Sequence, residues 1–215
     1  LDPLTVLSWM AGQTQNIMLG TGVLILPYRP RLPLAKAIAS LQELSSGRFI
    51  LGVGVGWMGP EFRALGVPRN KRGKIFEDTL SFINDCFEKD VMSSNGQDFI
   101  FEPKPKKPSI LVGGMSAAAF ERAVKVGAGW FPIGRLSEMK DRIQLFRDLT
   151  EKKYGRPSEV VTYCSFAGQS ESDFCDELNS FRDAGISRVI INTKYETAED
   201  WSRVFEVFEK VLQKF

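Results

Sequence analysis

No histidine occurs among the 215 residues. That absence removes the imidazole-assisted nucleophiles, Ser-His-Asp and Cys-His, together with every histidine-bearing metal site. Cysteine is scarce: Cys86, Cys164 and Cys175 form an odd set without CxxC spacing. This argues against a disulfide framework or a thiolate zinc site and suits a reducing, cytoplasmic location. No apolar run approaches the roughly 18–20 residues that cross a bilayer. Asp2 and Pro3 stand where a signal peptide would carry a basic start and an apolar core. Neither sign of charge is in excess, with 28 basic against 26 acidic residues and a net charge of +2. Nucleic acid and anionic membranes therefore have no electrostatic case as partners. With no metal expected, chemistry falls to a cofactor or to other side chains.

What is present is an ordinary globular composition, 43% hydrophobic and 25% charged, enough for one sizeable core. Strand-length apolar runs alternate with segments of helical period, the signature of parallel βα units. Strands are expected at Ile17–Leu26, Phe49–Val55, Ser109–Val112, Gly129–Ile133, Val160–Ala167 and Arg188–Ile191. Helices are expected at Pro3–Gln13, Leu34–Leu44, Lys71–Phe87, Ser116–Val126, Leu136–Tyr154, Ser170–Ala184 and Ala198–Phe215. The polar, proline-rich stretch Val91–Pro108 reads as an excursion, a small β-arm outside the core. No linker divides the chain, so residues 1–215 are expected to form one domain. Two α/β architectures fit: an open doubly wound sheet, or a TIM (β/α)8 barrel incomplete at its N-terminus. The opening helix has no strand before it, which favours the barrel.

Several glycine-rich motifs lie at strand ends. Gly54-Val55-Gly56-Trp57-Met58-Gly59 matches GxGxxG, and Glu77 and Asp78 follow near the offset of about 20 residues that a dinucleotide site uses. Pro60 and the Gly66/Pro68 turn interrupt the helix that such a site needs, and the acids fall within a helix. The glycines read better as a strand end that bends and lets a ligand approach its backbone. Gly113-Gly114-Met115-Ser116 joins a strand to a helix that Ser116 can cap, which makes either an anion pocket or a plain capped turn. Gly20-Thr21-Gly22-Val23 sits inside a strand, where glycine implies a bulge or a close approach. Arg72 stands in a helix's first turn, against the dipole, a placement explained by an anion or by plain solvation. The runs Arg69–Lys74 and Lys104–Lys107 read as solvated charge, and the stripe from Trp201 through Phe205 and Phe208 to Val211 as core.

These segments, in this order, resemble the luciferase-like monooxygenase family of flavin- and F420-dependent enzymes. LGTGVLILP (Leu19–Pro27), LSSGRFILGVGVGW (Leu44–Trp57), FRALGVPRNKRG (Phe62–Gly73), FEPKP (Phe101–Pro105), VGGMS (Val112–Ser116) and GAGWFPIG (Gly127–Gly134) carry the resemblance. It is close over roughly residues 1–150 and rests on rhythm alone beyond them. The resemblance implies a TIM barrel with FMN or F420 at the C-terminal strand ends. It implies a non-proline cis peptide at Gly22-Val23 in a bulge, formed with Gly20 and Thr21, against the cofactor ring. It puts the cofactor phosphate on Gly113, Gly114, Met115 and Ser116, with Arg72 near the anionic tail and Gly56 and Trp57 lining the cavity. The implied activity is hydride transfer to, or oxygenation of, a small organic substrate, and a homodimer is compatible with it. The family's first two βα units have no counterpart here, so no catalytic residue is assigned. The alternatives are a non-catalytic flavin-binding relative and, behind it, an NAD(P)-dependent Rossmann dehydrogenase.

Overall fold

A computed structural model of the chain describes residues 1–126 and 128–214. Gly127 of the GAGWFPIG motif and Phe215, the expected end of the last helix, lie outside the described residues. The contacts divide the chain into two compact units, Leu1–Gly113 and Gly114–Phe215. Both are α/β with parallel strands, as the alternating pattern requires.

The first unit opens with α1 (Pro3–Gln13), whose N-terminus is capped by Asp2 accepting from the Thr5 N–H at 3.1 Å. The single strand expected over Ile17–Leu26 is broken into β1 (Leu19–Gly20) and β2 (Leu24–Ile25), with a cis peptide bond between Gly22 and Val23. Helix α2 (Arg31–Leu44) starts at Arg31 rather than Leu34. Pro33 sits in its first turn, where a missing N–H costs nothing. Strand β3 (Phe49–Gly54) is buried throughout and pairs in parallel with β1, β2 and β6 (Ser109–Gly113). Its continuous apolar character is that of a central strand covered on both faces.

Helix α3 (Gly59–Ala64) occupies what the sequence suggested was loop, and α4 (Arg72–Glu88) follows. Proline in the first turn of α3 starts that helix instead of breaking it. The expected β-arm is an antiparallel hairpin of β4 (Met92–Ser94) and β5 (Gln97–Phe99). Its turn residues Asn95 and Gly96 have φ of 53° and 76°, the combination favoured in two-residue hairpin loops. Phe49, Leu51, Phe76, Ile83 and Phe101 fill the core. Buried Gln42 is satisfied by the Lys106 carbonyl at 2.9 Å and the Phe49 N–H at 3.2 Å.

The second unit comprises α5 (Ala117–Val126), β7 (Gly129–Phe131), α6 (Leu136–Tyr154), β8 (Val161–Phe166), α7 (Glu171–Asp183), β9 (Arg188–Thr193) and α8 (Ala198–Leu212). Strands β8 and β9 pair in parallel, and Trp130 bridges in parallel to Val160. One aromatic cluster joins Phe120, Trp130 and Phe146; another joins Phe166, Phe174 and Phe208. The α8 stripe departs from expectation. Val211 is buried and Phe208 packs on Phe166 at 5.2 Å, but Trp201 and Phe205 are 42% and 49% exposed. The C-terminal half of the helix is covered by α7 and β8, whereas Trp201 lies tilted against the rings of Tyr195 and Phe205.

Candidate functional site

In the first unit the interrupted strand builds a concavity. Gly20, Thr21, Gly22 and Val23 line a space of about 380 Å³ together with Pro3, Val6 and Leu7 of α1. The Thr21 hydroxyl donates to the Gly52 carbonyl at 2.7 Å, and the Thr21 N–H to Ile50 at 3.2 Å, which ties the bulge to β3. Neighbouring glycines admit this bulge. A Cβ on Gly52 would lie 1.9 Å from the Thr21 carbonyl oxygen, and one on Gly54 or Gly113 would lie 2.7 or 2.8 Å from a Val23 methyl. A Cβ on Gly56, at φ +78°, would meet Ile25 at 2.8 Å and Phe62 at 3.0 Å. Gly54 and Gly56 thus make room for side chains of the same unit. Trp57 beyond them is 75% exposed. The acids of the apparent dinucleotide motif, Glu77 and Asp78, lie on α4, and Asp78 pairs with Lys74 at 3.0 Å.

Arg72 begins α4 and donates from Nη1 to the Arg69 carbonyl at 3.0 Å. Its Nε is buried without a hydrogen-bond partner. An unmet buried donor costs about 1–3 kcal/mol, so this guanidinium suits an anionic acceptor.

In the second unit, Gly114 holds φ at +123°, and a Cβ there would crowd Ala119 at 3.1 Å. Ser116 precedes the ten-residue α5, and its hydroxyl oxygen accepts from the Ala119 N–H at 3.2 Å. The Gly114 N–H donates to Phe131 at 3.1 Å, while the Gly114 carbonyl accepts from the Trp130 indole at 2.9 Å. The Met115 carbonyl accepts from the Arg142 guanidinium. The N–H groups of Met115 and Ser116 have no acceptor among the described residues. Free N–H groups at a helix start, with no acid among them, fit a phosphate. The sequence motif located this turn. Trp130 was visible only as part of a motif, and Arg142 belonged to none.

A larger cleft of about 620 Å³ lies at the ends of β8 and β9, lined by Ser165, Asn192, Thr193, Lys194, Asp200 and Arg203 among others. Hydrogen bonds from Thr197, which caps α8, hold the Asp200 carboxyl below its ordinary value. Two of the three thiols are poor nucleophiles. Burial pushes Cys86 up to about 11, and burial aided by Glu177 pushes Cys164 up to about 12. Among the described residues no cluster of acids or cysteines is arranged to hold a metal, and no helix is long and apolar enough to cross a membrane.

The luciferase-like monooxygenase family model matches residues 1–202. An uncharacterized protein of Mycobacterium tuberculosis is 26% identical over 210 residues, a match covering 93% of this chain and 72% of that protein. The FMNH(2)-dependent dimethylsulfone monooxygenase of Pseudomonas putida is 28% identical over 148 residues, covering 64% of this chain and 40% of that protein. Among solved structures, monooxygenase RslO1 from Streptomyces bottropensis aligns with a TM-score of 0.86 at 18% identity, covering 99% of this chain and 82% of that one. The oxygenating constituent of 3,6-diketocamphane monooxygenase from Pseudomonas putida, solved with FMN, aligns at 0.66 and 17% identity, covering 86% and 66%. At these identities the structural matches establish the fold.

Proposed function

The chain belongs to the luciferase-like monooxygenase family, and on that premise we propose that it binds FMN or the deazaflavin F420 and oxygenates, or passes hydride to, a small organic substrate. The observation that carries the reading is the Gly114–Ser116 turn, with the Met115 and Ser116 N–H groups free at the start of α5. These groups would hold the cofactor phosphate. Arg72, with its unmet Nε, would meet an anionic part of the cofactor. The backbone from Gly20 to Val23, which lines the concavity of the first unit, would serve the ring, and the Thr21 hydroxyl, committed to Gly52, would not. When bound and reduced, the group supplies a hydride or activates dioxygen, and the protein supplies position and electrostatics. The names of the dimethylsulfone monooxygenase and of the FMN-bound neighbour favour FMN.

Side-by-side fluorescence titration of the chain with FMN, F420 and NADP tests this reading. FMN or F420 is expected to bind, Arg72→Ala to weaken that binding about tenfold, and Ser116→Ala, which keeps the N–H but removes the cap that orders the turn, to weaken it less. Binding of NADP alone, or unchanged affinity in both variants, would contradict it.

A further inference from the structure

We propose that Trp130 and Arg142 are positioning residues that turn and polarise the Gly114–Ser116 backbone toward an anion, a role that rests on the phosphate reading above. The two free N–H groups belong to the peptide units Gly114–Met115 and Met115–Ser116. Neither is among the cis peptide bonds of the described residues. In a trans peptide the carbonyl and the N–H point to opposite sides. The carbonyl of the first unit accepts the Trp130 indole N–H at 2.9 Å, and that of the second accepts the Arg142 guanidinium. Each carbonyl is thus anchored to a core side chain, so each N–H is directed away from its anchor. Donation to a carbonyl also polarises the peptide and makes its N–H a stronger donor.

The two donors are themselves fixed. Trp130 is fully buried and packs edge-on to Phe120 at 5.3 Å and tilted against Phe146 at 5.6 Å. A buried indole N–H requires an acceptor, and Gly114 supplies it. Arg142, half-buried on α6, lies with its guanidinium carbon 5.2 Å from the Trp130 ring and 5.3 Å from Phe120. A planar guanidinium held over aromatic rings keeps its direction as well as its charge. A residue that merely stabilised the unit would need no such pairing of one donor to each peptide whose N–H is free.

The test compares cofactors with and without their phosphate. Dissociation constants are measured for FMN against riboflavin, and for F420 against its phosphate-free deazaflavin core, in the wild-type chain and in Arg142→Met, Arg142→Lys and Trp130→Phe. The wild-type chain is expected to prefer the phosphorylated member. Arg142→Met should reduce that preference about tenfold through the phosphorylated ligand alone, with Arg142→Lys restoring part of it. Trp130→Phe, which keeps an aromatic ring but removes the pyrrole half with its N–H, should act the same way more weakly, read as the ratio between the two ligands so that a general packing loss cancels, and it decides the matter if Arg142→Met does not fold. Equal losses for both ligands, or a preference undiminished in the variants, would overturn the positioning role while leaving the phosphate reading intact. Absence of the preference in the wild-type chain would defeat that reading, and the positioning role with it.

Discussion

The bulge Gly20–Val23 and the turn Gly114–Ser116 are both glycine-bearing backbone offered at the end of a strand, yet they are held by opposite means. The bulge is held largely by shape: Val23 and the Thr21 carbonyl occupy space that glycine leaves open at positions 52, 54 and 113. The turn is held largely by donors, with an indole and a guanidinium on successive carbonyls. Glycine therefore means different things in the two places. Beside the bulge it is the absence of a side chain that matters; at Gly114 the φ of +123° matters as well.

The largest effect is expected from Gly52→Ala. Its Cβ would overlap the Thr21 carbonyl oxygen at 1.9 Å, so urea unfolding should show a loss beyond about 3 kcal/mol or no folded protein at all. Gly54→Ala meets side chains and no backbone, a Val23 methyl at 2.7 Å and Ile25 at 3.4 Å, and should cost about 1–3 kcal/mol. Adding Val23→Ala should return about 1 kcal/mol of coupling in a double-mutant cycle, and purely additive losses would contradict the account of the bulge. Gly114→Ala tests the other region. Its cost of about 1–2 kcal/mol should persist in the Val23→Ala background, because the conformation and the Ala119 Cβ at 3.1 Å set it, and Val23 does not.

Thr197→Ala probes helix α8 and should lower stability by about 1 kcal/mol through loss of the cap. The Asp200 carboxyl in that cap is depressed from its ordinary 3.8. Its contribution is therefore fully present above that value and disappears as the pH falls through the depressed one. Acid titration of the Thr197→Ala chain should accordingly show a smaller stability loss over that range than the wild-type chain does.

Local signals explain which parts of this arrangement were legible in the sequence. Helices Pro3–Gln13 and Leu136–Tyr154 begin and end where their pattern put them. Asp2 caps the first, and Gly155, at φ 74°, stops the second. Helix α3 is hidden in the sequence because Pro60 reads as a breaker, although proline is at home in a first helical turn. The break between β1 and β2 is legible locally in the strand glycines Gly20 and Gly22, and the family resemblance adds the cis bond at Gly22-Val23; what no window over Ile17–Leu26 contains is the room made for it by glycines at 52, 54 and 113. The turn at Gly114 announced itself by composition. Its donors did not, since Arg142 reaches Met115 from a different helix and matches no motif. The GxGxxG string hides its neighbours for a related reason: the space above Gly54 and Gly56 is filled by Val23, Ile25 and Phe62, which only the fold brings there.

The most direct test of the central claim, that the turn offers its two outward N–H groups to a cofactor phosphate, is to follow the amide proton resonances of Met115 and Ser116 during titration with FMN and with riboflavin. FMN should shift both downfield as hydrogen bonds to the phosphate form, and riboflavin should leave them nearly in place. Binding of FMN with both resonances unmoved would contradict the claim.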